Sequence, residues 1–170
     1  MTKKLIEYAE NISYSYENAR GTQYFWDNKY FVTDGVRVLR MEASIPSLTL
    51  VSDQGMCELF QKFFSDVLSS TYDYKIHQLP SVEEIKEGIR GFCGRKLDKI
   101  VWSDGVITVN ARFLHKTMIA LNSKACYISS YKTTKTPIYF ALNDDLNAKI
   151  DMLLLPVYNP NMNVGFWKVT

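Results

Sequence analysis

Two turn signals between short runs of strand-forming residues constrain the fold more than any other feature of the sequence. Residues 22–42 are rich in aromatic and β-branched residues with a period of two, which is typical of half-buried strands. The pairs Asp27-Asn28 and Asp34-Gly35 interrupt this run, and residues of these types tolerate the positive φ of tight turns. The segment therefore predicts three antiparallel strands, and the helical spacing of apolar residues in 3–12 predicts a short helix before them.

The middle of the chain has a helical period instead. From residue 56 to residue 68, apolar residues recur at spacings of three and four, and Ser52 or Asp53 can cap the helix that this spacing predicts. A strand over residues 72–79 follows. The capping box Ser81–Glu84 then predicts the start of a second helix.

The first pattern returns after residue 98. Strands over residues 99–103 and 106–110 are predicted to pair across Asp104-Gly105, and Asn110 can cap a helix over residues 111–122. Three further strands are predicted, over residues 125–131, 137–143 and 148–157. The order of one helix and then three strands therefore occurs twice.

A short sequence echo accompanies this recurrence. Ser103-Asp104-Gly105-Val106 has the same pattern as Thr33-Asp34-Gly35-Val36. Two interpretations are open at this point. The echo marks a fold built from two similar halves, or it reflects only the turn preferences of Asp and Gly.

Length and residue usage limit the classes of protein that the chain can belong to. With 170 residues and 46% hydrophobic content, it can bury a core as a single domain. Cys57, Cys93 and Cys126 are odd in number and form no C-x-x-C pair, which is typical of reduced thiols in a cytosolic protein. Neither His77 nor His115 lies at metal-ligand spacing from a cysteine. We therefore expect no metal site and no cofactor.

The charge and hydropathy patterns argue against a membrane protein. The longest purely apolar run, "MLLLPV", is too short to span a bilayer. Glu7 and Glu10 stand where a secretory signal would need an apolar core. The formal net charge is only +2, so a nucleic-acid role requires local segregation of charge. The sequence predicts a soluble, cytoplasmic protein with no membrane partner.

The usual catalytic motifs are missing from the sequence. It contains no G-x-S-x-G elbow, no glycine-rich phosphate loop and no H-E-x-x-H pair. Glu83-Glu84 falls in the first turn of a predicted helix, where the helix dipole favours acids. Asp144-Asp145 is typical of a solvated turn. The sequence therefore predicts a protein that is not an enzyme.

Two segments carry a resemblance to a known family. The first, "RGTQYFWDNKYFVTDGVRVLRM", ends in two strands around a "TDG" turn. The second comprises "VITVNARFLHKTMIAL" and "KTPIYFALNDDLNAKIDMLLLPV", a helix followed by strands and an apolar-Pro-apolar end. These segments resemble the "ATDGHRLA"-type and "FNxRYLLDAL"-type regions of the bacterial DNA sliding clamps. Val36 stands at the position of the family's histidine.

The resemblance implies a fold class and a division of the chain. It implies an α+β fold in which antiparallel sheets are backed by short helices, as in one DNA clamp domain. The single domain, residues 1–170, then has a first half over 1–45, a helical insertion over about 46–98, a second half over 99–157 and a C-terminal tail over 158–170.

The resemblance also implies a pocket for partner peptides. Clamps hold short motifs of polymerases and repair factors between the "TDG" strand and the terminal apolar-Pro-apolar strand, and such binding needs an apolar floor with a few polar groups. The matched positions here are Thr33, Gly35, Arg37 and Val38 on one side and Leu155, Pro156 and Val157 on the other. The alternative is that these residues are core and strand terminus.

A DNA-facing surface is implied in the same way, because the helices of clamps face the duplex and contact its phosphates. Lysine and arginine on one helix face supply such sequence-independent affinity by releasing counterions. The corresponding residues are Lys3, Lys4, Arg112, Lys116 and Lys124, of which Arg112 and Lys116 share a helix face. An ordinary solvated face is the alternative.

These inferences combine into one predicted function. We expect a non-enzymatic, sliding-clamp-like accessory protein of DNA replication or repair. Its partners would be double-stranded DNA, replication or repair proteins bound through the peptide pocket, and other copies of the chain in a homo-oligomer. The alternative is an interaction or inhibitor protein that uses the clamp fold without binding DNA.

Overall fold

The computed structural model describes residues 1–14, 21–68, 74–92, 99–129, 137–159 and 163–168. The helices of these residues are α1 (Lys3–Tyr14), α2 (Gln54–Leu68), α3 (Val82–Arg90) and α4 (Ala111–Leu121). The strands are β1 (Thr22–Trp26), β2 (Lys29–Thr33), β3 (Arg37–Met41), β4 (Thr49–Val51), β5 (Tyr74–Gln78), β6 (Ile100–Ser103), β7 (Thr108–Asn110), β8 (Ala125–Ser129), β9 (Ile138–Ala141), β10 (Asp151–Leu154) and β11 (Gly165–Lys168). Cys93 and the ends of two predicted strands, at residues 72–73 and 130–131, lie outside the described residues.

Eight strands form one large sheet in the order β4-β1-β2-β3-β10-β9-β8-β5. Neighbouring strands are antiparallel, except that β1 pairs with β4 in parallel. The tight turn between β1 and β2 places Asp27 at φ 48° and Asn28 at φ 57°, which these residue types tolerate. The predicted class, an α+β fold with antiparallel sheets backed by short helices, is confirmed.

Helices cover both faces of the large sheet. Because successive strand residues point to opposite faces, Val32 and Leu39 join the buried cluster of α1 and α4, while Phe31 and Leu153 join a second cluster with α2. All four residues of β10 are buried, and the last three of them are apolar, as expected of a strand that is covered on both faces. None of the described helices is both long and apolar enough to cross a membrane.

The C-terminal residues fold back onto the domain. A second sheet contains three strands in the order β11-β6-β7, and Phe166 of β11 lies opposite Trp102 of β6. Ile100, Trp102 and Val109 of this small sheet, and Ile107 directly before β7, belong to the same buried cluster as α1 and α4. The small sheet therefore packs on the cluster of α1 and α4, and the tail supplies one of its strands.

Predicted caps account for where three helices begin. Asp53 Oδ1 accepts the backbone N–H of Met56 at 3.0 Å, so Asp53 is the capping residue of α2. Ser81 and Glu84 form the predicted capping box of α3. Asn110 caps α4 through the N–H of Phe113 at 3.0 Å. Each cap satisfies backbone donors that the first helical turn leaves without partners.

The segment over residues 46–98 is integrated into the large sheet. It supplies both edge strands, β4 beside β1 and β5 beside β8, as well as the helix α2 that covers one sheet face. The sequence did not predict β4, because a three-residue strand has too few positions for a period to be recognised.

The aromatic ring of Phe166 packs against α3 at Gly88. A Cβ atom at residue 88 would lie 2.2 Å from Phe166 Cε2 and Cζ. We expect Gly88→Ala to destabilise the protein by about 1–2 kcal/mol, because overpacking outweighs the gain in helix propensity. Urea denaturation measures the change.

Gly55→Ala in α2 is the matched control, since its Cβ would meet only Asp53 Oδ1, at 3.7 Å. We expect no loss of stability in this variant. If Gly88→Ala were as stable as Gly55→Ala, the proposed steric fit between α3 and β11 would be wrong.

Candidate functional site

The two echoed tetrapeptides form the same hydrogen-bonded turn. In each turn the aspartate Oδ1 accepts the backbone N–H groups two and three residues later, at 3.0 and 2.7 Å for Asp34 and at 2.9 and 3.0 Å for Asp104. The preceding hydroxyl, of Thr33 or Ser103, accepts the glycine N–H at 3.0 or 3.1 Å. The glycines have φ of 82° and 86°. A left-handed glycine and an Asx-type carboxylate therefore build both turns.

The second carboxylate oxygen of Asp34 binds a buried arginine. Arg37 Nε and Nη2 donate to Asp34 Oδ2 at 2.8 and 2.5 Å, and the arginine is 3% exposed. Its guanidinium carbon lies 4.1 Å from the ring centroid of Phe113 and 5.5 Å from that of Tyr8. A buried charge requires such pairing and stacking. Arg37 therefore fixes the turn to both α1 and α4.

The second carboxylate oxygen of Asp104 has a different partner. His77 Nε2 lies 2.5 Å from Asp104 Oδ2, and both side chains are partly exposed. Burial favours the neutral form of Asp104. The hydrogen bonds from Ile107, Val106 and His77 outweigh burial, so that the pKa of Asp104 is lowered from its usual value.

The chain that leaves β10 connects the two turns. The N–H of Leu155 donates to the carbonyl oxygen of Val36 at 2.9 Å, and the N–H of Val157 donates to that of Thr108 at 2.8 Å. Thr108 begins β7, directly after the second turn. Residues 155–157 therefore run along one edge of the molecule from the first turn to the second.

Exposed apolar side chains line this edge. Val36 and Leu155 are each 38% exposed, Val106 is 44% exposed and Val164 is 69% exposed. Val164 Cγ2 would lie 3.5 Å from a Cβ placed on Gly105. We name this surface the apolar shelf, and it consists of Val36, Val106, Leu155, Pro156, Val157 and Val164. Exposed apolar side chains that lie near one another are a feature of interaction sites.

The residues of the pocket that the clamp resemblance implies lie in different surroundings, although the N–H of Leu155 bonds to the carbonyl oxygen of Val36 beside the first turn. Leu155, Pro156 and Val157 lie in the shelf, and Gly35 is exposed beside it. Thr33 and Arg37 are buried and hold the turn from beneath, while Val38 packs against the cluster of α2. Sequence reasoning missed Val36, Val106 and Val164, although the repeated Asp-Gly-Val pattern pointed to the first two.

The five basic residues of the predicted DNA-facing surface lie on or beside α1 and α4. Lys4 and Lys116 line a groove of about 230 Å³ between these helices, together with Glu7, Tyr8, Asn11, Ile119 and Ala120. Lys3 is paired with Glu7 at 3.7 Å. Arg112 is half-buried, and Lys124 is exposed after the end of α4. The groove therefore gathers two of the five residues.

Cys126 is the cross-strand partner of His77, which is bonded to Asp104. The combination has the composition of a nucleophilic triad, but burial raises the pKa of the Cys126 thiol far above neutrality. Because the thiolate is the nucleophile, this arrangement does not supply one. Within the described residues, no group of three or more His, Cys, Asp or Glu side chains suits a metal ion.

Of three comparisons with known proteins, only the comparison with solved structures finds a similarity. No protein-family model matches the chain. No curated protein matches its sequence. Among solved structures, the Helicobacter pylori β clamp in complex with diflunisal matches with a TM-score of 0.37 and 17% identity, over 79% of this chain and 43% of the clamp chain. The clamp of the same organism bound to a DNA ligase peptide matches with a TM-score of 0.34 and 16% identity, over 79% and 42%. The chain thus spans less than half the length of these clamps and has a weak resemblance to their fold.

We expect the loss of the carboxylate to destabilise the protein more in the first turn than in the second. Asp34→Asn leaves the buried guanidinium of Arg37 without its counter-charge, which should cost about 3–5 kcal/mol in the free energy of unfolding. Asp104→Asn should cost less, because Asp104 and His77 are partly exposed and solvent screens their interaction. Chemical denaturation near neutral pH measures both costs. Equal costs would contradict the structural role given to Arg37.

At acidic pH, we expect Asp104 to lose its contribution to the free energy of unfolding. Its pKa is lowered in the folded state from the usual value of 3.8, so its stabilising effect is complete above that value and is lost as the pH falls through the folded pKa. The difference in the free energy of unfolding between the wild type and Asp104→Asn should therefore shrink below about pH 4. Denaturation curves at several acidic pH values measure it. A difference that grows as the pH falls below about 4 would contradict the sign of the shift.

Proposed function

We propose that the chain is a non-enzymatic, clamp-like accessory protein of DNA replication or repair, which holds a short apolar segment of a partner protein on the apolar shelf. The observation that carries this proposal is the hydrogen bond from Leu155 N–H to the Val36 carbonyl oxygen. It sets two exposed apolar residues beside each other, one directly before β3 and the other directly after β10.

The shelf combines apolar surface with a rigid base. An aliphatic or aromatic anchor that is buried on it would gain about 1.5–3 kcal/mol from transfer out of water. Thr33 and Arg37 hold the backbone of the first turn through buried hydrogen bonds. A site that is already formed loses little entropy on binding. These features favour a docking surface for a peptide over a flexible edge.

The sequence resemblance supports the same class of partner. The "TDG" strand and the apolar-Pro-apolar segment occur in the order expected of a clamp, and a backbone hydrogen bond joins Leu155 to Val36. In the H. pylori clamp structure, the bound partner is a DNA ligase peptide. We take a peptide of that kind as the first probe, together with a displayed library of short peptides.

Binding to duplex DNA through α1 and α4 is the second candidate function. Lys4 and Lys116 line one groove, and paired lysines can neutralise neighbouring phosphates. Glu7 lies in the same groove and opposes the approach of phosphate. The net charge of +2 also supplies little attraction at long range. Glu7 and the low net charge therefore favour peptide binding over DNA binding. Peptide binding on the shelf does not require DNA.

Leu155→Asp should abolish peptide binding and leave the fold intact. Leu155 is partly exposed, so a charge at this position costs the fold little, while it removes the apolar floor of the shelf. Isothermal titration with the ligase peptide or a selected peptide measures binding, and circular dichroism checks the fold. Leu50→Asp is the matched control, since Leu50 is an exposed leucine of β4, on the far edge of the large sheet.

Val157→Asp provides a second test at the other end of the segment. Val157 is half-buried, so unfolding of this variant would mean that Val157 belongs to the core. If the folded Leu155→Asp and Val157→Asp variants bound the peptide as well as Leu50→Asp does, the shelf would not be the binding site.

A duplex-binding assay at several salt concentrations tests the DNA candidate. If Lys4 and Lys116 contact phosphates, the variant with both residues changed to Glu should bind the duplex more weakly. The slope of log affinity against log salt should become less negative by about two. Lys62→Glu in α2 is the matched control, on the opposite face of the large sheet. An absent or salt-independent affinity of the wild type would remove DNA from the proposed function.

Closing a ring around DNA would require several copies of a chain of this length. The predicted homo-oligomer is therefore part of the DNA candidate alone. Molar mass in solution at working concentration measures it, and a monomer would exclude a closed ring of identical chains.

A further inference from the structure

The two equivalent turns differ in the chemistry of one partner. The first turn pairs its aspartate with Arg37, and the second pairs its aspartate with His77. A guanidinium stays charged at every physiological pH. An imidazole is charged only when it is protonated, and histidine changes its charge in the physiological range. The same turn is therefore built once with a permanent cation and once with a titratable one.

The two pairs also connect different parts of the fold. Asp34 and Arg37 are three residues apart within one hairpin. Asp104 lies in the turn between β6 and β7 of the small sheet, whereas His77 lies in β5, the edge strand of the large sheet. The histidine pair, which we name the clasp, therefore joins the two sheets directly.

Cys126 and Lys75 are further ionisable residues beside the clasp. From β8, Cys126 faces His77 across the strand pair, and its thiol remains neutral because burial, followed by the charges of Asp104 and Asp144, raises its pKa. On β5 itself, Lys75 lies two residues before His77 and is exposed to solvent.

Loss of the proton weakens the clasp without breaking it. A neutral imidazole can still donate one hydrogen bond to a carboxylate, but a charge-assisted bond is about twice as strong as a neutral one. The difference between the two kinds corresponds to about a five-fold change in an opening equilibrium. Opening of the clasp would release the turn that carries Val106 and lies against Val164.

We infer that the His77–Asp104 clasp is a pH-sensitive fastening of the small sheet to the large sheet, closed more firmly when His77 is protonated. Its effect on the shelf rests on the proposed function, because Val106 and Val164 form the end of the shelf that the small sheet carries. The fastening itself does not depend on any partner.

Native-state hydrogen exchange of the 170-residue chain tests the inference. Protection factors of the β6 and β7 amides, corrected for intrinsic exchange, are compared at about pH 5.5 and about pH 8. The ratio of wild type to His77→Gln should be about five-fold larger at the lower pH. His77→Arg should retain its protection at both values, and Asp104→Asn should show no such dependence.

The protection factors of the β2 and β3 amides, measured in the same experiment, serve as the internal control. His115 is present in every variant, so its effect cancels in the ratio of wild type to variant. An equal ratio of wild type to His77→Gln at both pH values would overturn the inference. So would a His77→Arg variant that loses protection at high pH as the wild type does. Peptide binding is not measured in this experiment, so its result is separable from that of the Leu155→Asp test.

Discussion

The antiparallel pairing of β3 with β10 joins the early and late parts of the chain into one sheet, and the position of the shelf depends on its register. Asp151 lies opposite Arg40, and Leu154 lies opposite Arg37. The next pair along the two strands is Leu155 with Val36. A slip of one residue would turn every side chain of β10 to the other face. It would move Leu155 away from Val36 and bring Asp151 into the apolar cluster of α1 and α4.

A buried polar network fixes this register. Arg40 donates to both carboxylate oxygens of Asp151, at 2.9 and 2.5 Å, and Tyr139 donates to the same carboxylate at 3.0 Å. The guanidinium of Arg40 also lies 4.1 Å from the ring centroid of Phe64 in α2. A buried carboxylate without these partners would be costly. The network therefore penalises other registers more strongly than apolar contacts alone would.

Local chemistry made much of the fold predictable from the sequence, and distant contacts did not. The caps at Asp53, Ser81 and Asn110 and the turns at Asp34 and Asp104 depend on residues only two or three positions apart, which a sequence displays directly. Only the clamp resemblance led us to expect that the segment around Gly35 and the segment around Pro156 lie near each other. The burial of Arg37 under Phe113, and the contact of His77 with Asp104, depend on how separate elements pack, which no local pattern records.

The echo between the two tetrapeptides is explained by turn chemistry rather than by two equivalent halves. The first turn joins β2 to β3, after α1, whereas the second joins β6 to β7, before α4. Equivalent halves would place the turns at the same point relative to their helices. Asp and Gly suit one geometry wherever a tight hairpin needs a side-chain acceptor and a left-handed residue. The turns are therefore alike in structure because of their residues, and they are neighbours because residues 155–157 bond to both hairpins.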